Sequence, residues 1–424
     1  MTALALILLP LVLLVLGVPI YIALLAAAGA GLLASGYTLS QMHISMFGGL
    51  DNFPLLAIPL FIFAGEVMGR GGLARRLVEW ALSIIGGVRG SLALATIASS
   101  ELFGAMSGSS VGCVAAIGRL MVPELKNRGY SAAFAGSLIA SCGSIAVIIP
   151  PSIPMIIYGI AAQQSVPKLF LAGIVPGLLI GVMISIYLLI YARVKFIPLT
   201  AGLRWENVWH TTIDAFWSLL APVVILGGIY GGIFTPTEAA GIACIYAILV
   251  ARYIYRELTW REIWQTAVDS GVLISQILII VAAAGAYSWL ITISGFPLKL
   301  VEFISSLDLQ TWLILLTINV VLLFFGSVLE PPAAILILTP LLVPLTQQAG
   351  VDQIHFGIIV TVNLAIGLFM PPFGLNIFAT HALFGIPLPQ LYRAVFPFLV
   401  IYLIALALIT YIPAITLFPL RLLH

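Results

Sequence analysis

The chain has 424 residues, of which 62% are hydrophobic and 8% charged, with a mean hydropathy of +1.20 and a formal net charge of +2. Apolar runs near the roughly 20 residues that cross a bilayer recur along its whole length, which reads as an all-α polytopic membrane protein with no soluble domain. The small net charge and the absence of a Lys/Arg cluster give no nucleic-acid surface. Cys113, Cys142 and Cys244 stand in apolar segments without CxxC spacing, so they read as small packing residues and not as a disulfide framework or zinc site.

Taken in chain order, the apolar N-terminus lacks the basic region of a cleavable signal, since the first Lys or Arg is Arg70, and it reads as a retained membrane segment. Residues 3–35 are too long for one untilted crossing, and Gly17-Val18-Pro19 is a candidate dividing point, so this stretch crosses once or twice. Further spans fall at about 52–69, 131–163, 170–192, 216–233, 236–251, 268–294, 354–384 and 391–417. Residues 90–124 and 311–344 are each broken in the middle, at Ser107-Gly108-Ser109-Ser110 and between Gly326 and Pro332. Polar residues at the centre of an apolar stretch are more simply a re-entrant hairpin than a full crossing. Arg75, Arg76, Leu77 and Trp80, and Leu298 to Phe303 in the other half, look like amphipathic interfacial segments, either bracing arms or plain connectors.

Two spans carry prolyl pairs, Ile149-Pro150-Pro151-Ser152 and Met370-Pro371-Pro372-Phe373. A prolyl pair cannot continue a hydrogen-bonded helix, so each span is expected to break where its backbone faces a site. The pairs are 221 positions apart (371 minus 150), and Pro123 with Pro344 and Pro176 with Pro397 share that spacing. Upstream, Leu77-Val78-Glu79-Trp80 recurs as Leu300-Val301-Glu302-Phe303 at 223 (300 minus 77), so a repeat runs from about Phe61 to Leu179 and again to about Val400.

Arg70, Arg75, Arg76, Arg89, Lys126, Arg128, Arg193, Lys195, Arg204, Arg252, Arg256 and Arg261 fall on one side of this topology, and Lys168, Lys299 and Arg421 on the other. By the positive-inside rule the first side is cytoplasmic. With hairpins not counted as crossings, an odd number of spans separates the two copies, which makes the repeat inverted. The first hairpin then opens to the cytoplasm, the second to the outside, and the C-terminus lies outside. Inverted repeats with broken helices at the midplane are the architecture of alternating-access transporters.

Five ordered strings also resemble the large membrane subunit (DctM-type) of tripartite ATP-independent periplasmic (TRAP) transporters. They are Ile58-Pro59-Leu60-Phe61 with Ala64-Gly65-Glu66, Ser107-Gly108-Ser109-Ser110, Ile149-Pro150-Pro151-Ser152-Ile153-Pro154, Phe234-Thr235-Pro236-Thr237-Glu238-Ala239-Ala240, and Pro371-Pro372-Phe373-Gly374-Leu375-Asn376. The resemblance implies an elevator-type importer in a bacterial inner membrane, with a small four-helix membrane subunit (DctQ-type) and a periplasmic substrate-binding protein (DctP-type). It also implies sodium-driven uptake of a C4-dicarboxylate, keto acid, sugar acid or sialic acid. Many relatives carry an Asp where this chain has Cys113, so that carboxylate's role does not transfer. The expected organisation is scaffold helices in 1–69, a first repeat core in 70–195, further scaffold in 196–294 and a second core in 295–424.

Half-helices that point into the midplane offer free N–H groups and a positive dipole end to a substrate carboxylate. Unwound carbonyls and Ser, Thr or Asn oxygens suit sodium. The first sodium site is expected at Ser107, Ser109, Ser144, Ile148 and Ser152, and the second at Gly326, Glu330, Asn363, Gly367 and Met370, the last mainly through backbone oxygen. Substrate is expected between the hairpin tips, at Gly108, Ser110, Pro151, Pro332, Pro372 and Asn376. No cofactor and no metal other than sodium is expected.

Each of these residues has a structural alternative. Gly and Ser also let membrane helices pack closely, the better reading for Ser137 and Ser141. Prolines also kink helices at no functional site. Glu330 is a cation ligand, a proton carrier or an acceptor that holds the hairpin. Glu238 reads as a helix cap. Glu66 and Glu101 are ion-path residues or Arg partners. Arg119 either meets a substrate carboxylate or snorkels to the interface. The five histidines, His43, His210, His355, His381 and His424, form no HxxxH or HExxH pattern. Competing functions are a stand-alone dicarboxylate or citrate symporter and, more remotely, a channel or an intramembrane enzyme, for which no GxSxG or HExxH is present.

Overall fold

The structure is a computed structural model that describes residues 8–10, 12–14, 16–198 and 202–422. Two glycines show how the sequence repeat becomes a structural one. Gly72 and Gly295, 223 positions apart (295 minus 72), adopt left-handed φ angles of 82° and 64°. Lacking a Cβ, each turns the chain cheaply out of a membrane helix, Ala57–Arg70 or Trp260–Ile293, into a short arm helix, Leu73–Ile85 or Phe296–Ser306.

A helical hairpin follows each arm. In the first, Gly108 (φ 59°) ends Ser91–Ser107, and the Ser109 hydroxyl accepts the Gly112 N–H at 3.2 Å to start Ser110–Asn127. In the second, Thr311–Val328 is followed by Pro331–Gln348, whose N-cap position is Glu330 and whose first helical residues are prolines. A broken helix then comes in each half, Ala132–Ile145 with Ile153–Ala161 and Gln353–Gly367 with Leu375–Phe384. The prolyl pairs occupy the breaks, and both prolyl–prolyl bonds are cis. The long helices Val166–Val194 and Leu388–Tyr411 close the two halves.

Phe216–Tyr230 and Pro236–Leu249 link the halves. Thr235 and Glu238 form a reciprocal capping box, the Glu238 carboxylate accepting the Thr235 N–H at 2.8 Å, which is the capping role expected of Glu238. Among the described residues, six helices are long and apolar enough to cross a membrane, or seven if Trp205–Asp214 and Phe216–Tyr230, bent by 59°, count as one span. Thr311–Val328 is one of the six, so the first limb of the second hairpin has the length of a crossing by itself. Leu178, Val182, Ile186 and Ile190 form an exposed stripe at helical spacing along Val166–Val194, the face that lipid covers.

Inside this outer layer sit the first limbs of the broken helices, Ala132–Ile145 and Gln353–Gly367, the most buried elements. Every residue from Phe134 to Ile145 and from Ile354 to Gly367 is buried. The unwound first break, residues 146–152, is buried as well, which is tolerated next to lipid only where protein or an aqueous site satisfies its backbone.

Two helices depart from the expected pattern. Leu39–Leu50 lacks a span's length and packs on Trp260–Ile293, where a Cβ on Gly49 would come 3.1 Å from the Gly285 Cα. Trp205–Asp214 lays its polar side on the first arm, with the Trp80 indole N–H on Thr212 at 3.1 Å and Ser83 bonded to Thr211 at 2.8 Å. Near the N-terminus the described helix Ile20–Ala34 begins after Pro19, and Gly17 has φ 81°, so the chain divides at the candidate point. Residues 3–7 and His424 lie outside the described residues.

Candidate functional site

The first hairpin tip is pressed against the first helix break. A Cβ on Gly108 would meet the Pro151 carbonyl at 2.5 Å, and one on Gly65 would meet the Ser107 Cβ at 2.7 Å, so only glycine fits either place. Ser152 donates to the Val147 carbonyl at 2.5 Å and caps Ile153–Ala161 by accepting the Met155 N–H at 3.4 Å. Asn376, from the second half, reaches across to the first. It accepts from the Ser110 hydroxyl at 2.7 Å and donates to the Ala140 carbonyl at 2.8 Å and to Ser144 at 3.2 Å. All of these polar groups are buried, so each bond replaces a desolvation cost.

The two tips meet at a small cleft of about 120 Å³. Gly108, Ser109 and Ser110 of one tip face Glu330, Pro331 and Pro332 of the other, with Ile153, Pro154, Leu368 and Leu375 from the breaks closing the sides. Four helices begin at this lining: Ser110–Asn127, Ile153–Ala161, Pro331–Gln348 and Leu375–Phe384. The lining is otherwise mostly apolar, and the positive dipole ends of four helix starts bordering it favour an anion. Glu330 is the one charged side chain among the described residues that line it, and it also borders a neighbouring cavity of about 400 Å³ with Tyr21 and Gln276.

Gly326, Asn363 and Gly367 form a second cluster. A Cβ on Gly326 would come 3.6 Å from the Asn363 carbonyl, and one on Gly367 would run into the Gly326 carbonyl. The Asn363 amide donates to Asn319 and to the Ile359 carbonyl, both at 2.8 Å, while its own Oδ1 is buried without a hydrogen-bond partner. Asn319 in turn donates to Thr410 at 3.1 Å, and His355 lies 2.8 Å from Thr416 and 3.2 Å from the Thr410 carbonyl. Sequence reasoning missed Asn319; a lone Asn in the apolar run Thr311–Val328 was the available signal.

The remaining expected site residues are scattered around these two places. Ile148 turns its carbonyl toward Gly173, and the Met370 carbonyl accepts the Gly374 N–H at 3.0 Å. Pro151 backs the cleft, whereas Pro372 is exposed and its carbonyl accepts from Tyr392 at 2.8 Å. Cys113 is buried, like Cys142 and Cys244. Glu66 pairs with Arg70 at 3.4 Å, and the Glu101 Oε1 is buried without a hydrogen-bond partner, beside Gly181.

A larger cavity, about 760 Å³, lies behind the first tip, bounded by Ala57–Arg70, the first arm, Ser110–Asn127 and the start of Trp260–Ile293. At its edge Glu257 receives Arg75 at 2.6 Å and Arg76 at 2.7 Å. Burial pushes the Glu257 carboxyl up, but the hydrogen bonds from Arg76 and Arg75 outweigh it and hold it below the ordinary carboxylate value.

Comparison with known proteins identifies this architecture. A family model for the DctM component of tripartite ATP-independent periplasmic transporters matches residues 7–415. The chain is 41% identical over 386 residues to the C4-dicarboxylate TRAP transporter large permease protein DctM of Pseudomonas aeruginosa, covering 91% of this chain and 90% of that protein. It is also 41% identical over 409 residues to the isethionate TRAP transporter permease protein DctMQ of Oleidesulfovibrio alaskensis, where 96% of this chain covers 64% of a longer relative. The crystal structure of the YdaH transporter of Alcanivorax borkumensis shares the fold, with a TM-score of 0.62 at 12% identity and 86% of each chain covered. The chain belongs to the DctM family of TRAP transporters: it is a large permease component, a multi-pass membrane transporter and not an enzyme.

Proposed function

We propose that this permease imports an organic acid anion, delivered by a DctP-type periplasmic binding protein, by sodium symport across a bacterial inner membrane. The observation that carries the reading is the cleft between the hairpin tips, where four helix starts converge beside a single carboxylate. Substrate sits there against Gly108, Ser110 and Pro332, with Pro151, Pro372 and Asn376 in support. The anion belongs to the C4-dicarboxylate, keto acid, sugar acid or sialic acid class. The two relatives above are named for C4-dicarboxylates and for isethionate, both anions.

Sodium occupies the oxygen-rich places at each helix break. The unpartnered Asn363 Oδ1 is what a hard cation would satisfy, beside the backbone of Gly326 and Gly367, with Glu330 and Met370 at the adjoining tip and break. The matching first site uses Ser107, Ser109, Ser144, Ile148 and Ser152. A small DctQ-type subunit completes the membrane unit, in keeping with the longer DctMQ relative. The hairpins and broken helices move as an elevator against a scaffold that includes residues 216–251, with the C-terminus periplasmic.

The test is uptake of labelled organic acids into proteoliposomes that hold this chain and its small partner. Uptake that needs both a sodium gradient and added binding protein is expected. Sodium-dependent uptake without a binding protein points to a stand-alone symporter, and gradient-independent flux overturns both.

A further inference from the structure

The large cavity behind the first hairpin tip has no part in the reading above. Its charged lining is mostly neutralised internally. Arg70 holds Asp269 at 2.8 Å and Glu66 at 3.4 Å, and Arg75 holds Glu257 at 2.6 Å. Glu262 is committed to the Thr259 cap at 2.7 Å. Arg119 differs: it lines the same cavity and, among the described residues, makes no ion pair or hydrogen bond.

Helical spacing connects Arg119 to the tip. Gly112, Ala115, Ala116 and Arg119 recur at intervals of three and four, so they share the face of Ser110–Asn127 that lines the cavity, and the first three are small enough to keep that face open. Gly112 stands at the inner end, its N–H bonded to Ser109, and Ser109 itself lines the cleft between the tips. Cleft and cavity therefore lie on two sides of the Ser109–Gly112 turn. The cavity also carries Arg70 and Arg75, which fall on the Arg-rich side that the positive-inside rule makes cytoplasmic.

We infer that Arg119 is an exit subsite: it receives the carboxylate or sulfonate of the anion as it leaves the cleft for the cytoplasm. A guanidinium with no carboxylate of its own has its donors free for a planar anionic group, and the roughly 760 Å³ around it accommodates a small organic acid. The inference rests on the anion-import reading and adds a directional consequence. Loss of Arg119 should impair loading from the cytoplasmic side and leave loading from the outside intact.

Exchange of labelled succinate and isethionate in oriented proteoliposomes, with binding protein supplied outside, separates the two directions. In Arg119→Gln the half-saturating internal concentration should rise about tenfold or more, the scale set by one charge-assisted contact, with the external value unchanged. Arg119→Lys should recover most of the loss and Arg119→Glu should deepen it, all three variants melting in detergent like the wild type. Wild-type-like exchange in Arg119→Glu, or equal impairment from both sides, overturns the subsite and leaves anion import standing. A wild-type protein that carries none of a wider panel of C4-dicarboxylates, keto acids, sugar acids, sialic acid and isethionate overturns the import reading and the subsite together.

Discussion

The two arms hold the same place in the repeat but are anchored differently. The first, Leu73–Ile85, buries Leu73, Ala74, Leu77, Val78 and Ala81, and ties Arg75 and Arg76 to Glu257 and Asp214, with Arg76 stacked 3.6 Å above the Tyr255 ring. The second, Phe296–Ser306, buries no residue, and its side-chain tie to the hairpin it precedes is Ser305 to Gln348 at 3.0 Å. The breaks follow suit: Pro151 is buried, whereas Pro372 and Phe373 are exposed. Duplication reproduces backbone geometry, while the polar and packing contacts that tie each copy to its surroundings are particular to that copy. In an elevator the first arm would then be the firmer attachment and the second the looser one.

The largest effect is expected where the halves are joined. Asn376→Ala strands the Ser110 and Ser144 hydroxyls in a buried site, at about 1–3 kcal/mol for each group left unpaired, and removes a further bond to the Ala140 carbonyl, which keeps its helical partner. Uptake should be lost and the melting midpoint in detergent should fall; uptake and melting near wild type would mean that the halves are not held together here.

Next is the packing of each hairpin on its broken helix. Position 146 is already Ala, opposite Gly104, whereas position 367 is Gly, opposite Gly326. Gly367→Ala should therefore cost about 1–3 kcal/mol by driving a methyl group into the Gly326 carbonyl, while Ala146→Gly at the matching position should cost under about 1 kcal/mol. Equal effects in thermal unfolding would deny the asymmetry.

If sodium sits at Asn363 as proposed, Asn319→Ala should act on the cation as well as on stability, because it frees one Asn363 amide hydrogen and leaves the buried Thr410 hydroxyl without its Asn319 donor. The half-saturating sodium concentration for uptake should rise several-fold with the apparent affinity for the loaded binding protein unchanged. An unaltered sodium dependence would separate this cluster from coupling.

The smallest effect belongs to the first arm. Glu257→Gln removes partly exposed ion pairs worth about 0.2–1 kcal/mol each. Since the folded carboxyl lies below its ordinary value, its stabilisation is present above the ordinary carboxylate range and is lost as pH falls through the folded value. The gap in melting midpoint between wild type and Glu257→Gln should thus close on acidification; a gap that stays constant with pH would rule out the charge as its cause.

Much of this architecture is legible in the sequence. The prolyl pairs and the Gly/Ser tip at Ser107 to Ser110 report backbone that cannot be ordinary helix, and the shift of 223 that aligns Leu77–Trp80 with Leu300–Phe303 reports the repeat. Trp205–Asp214 was missed because it inverts the usual pattern, with Thr211 and Thr212 facing protein and Trp205 and Trp209 exposed by 77% and 71%. The links from Asn363 through Asn319 to Thr410, and from Asn376 to Ser110, join residues far apart in the chain, and no local periodicity encodes such a meeting. Likewise, whether a basic residue such as Arg119 is free or paired depends on where acids from other helices come to rest.

The central claim is that the cleft between the tips is where substrate binds, and a single reporter thiol tests it. Val111 lines the cleft and is 38% exposed, while the native Cys113, Cys142 and Cys244 are buried. Labelling Val111→Cys with a small methanethiosulfonate reagent should abolish uptake, and substrate together with sodium should slow the labelling. Full labelling with uptake intact and no protection by substrate would contradict the claim.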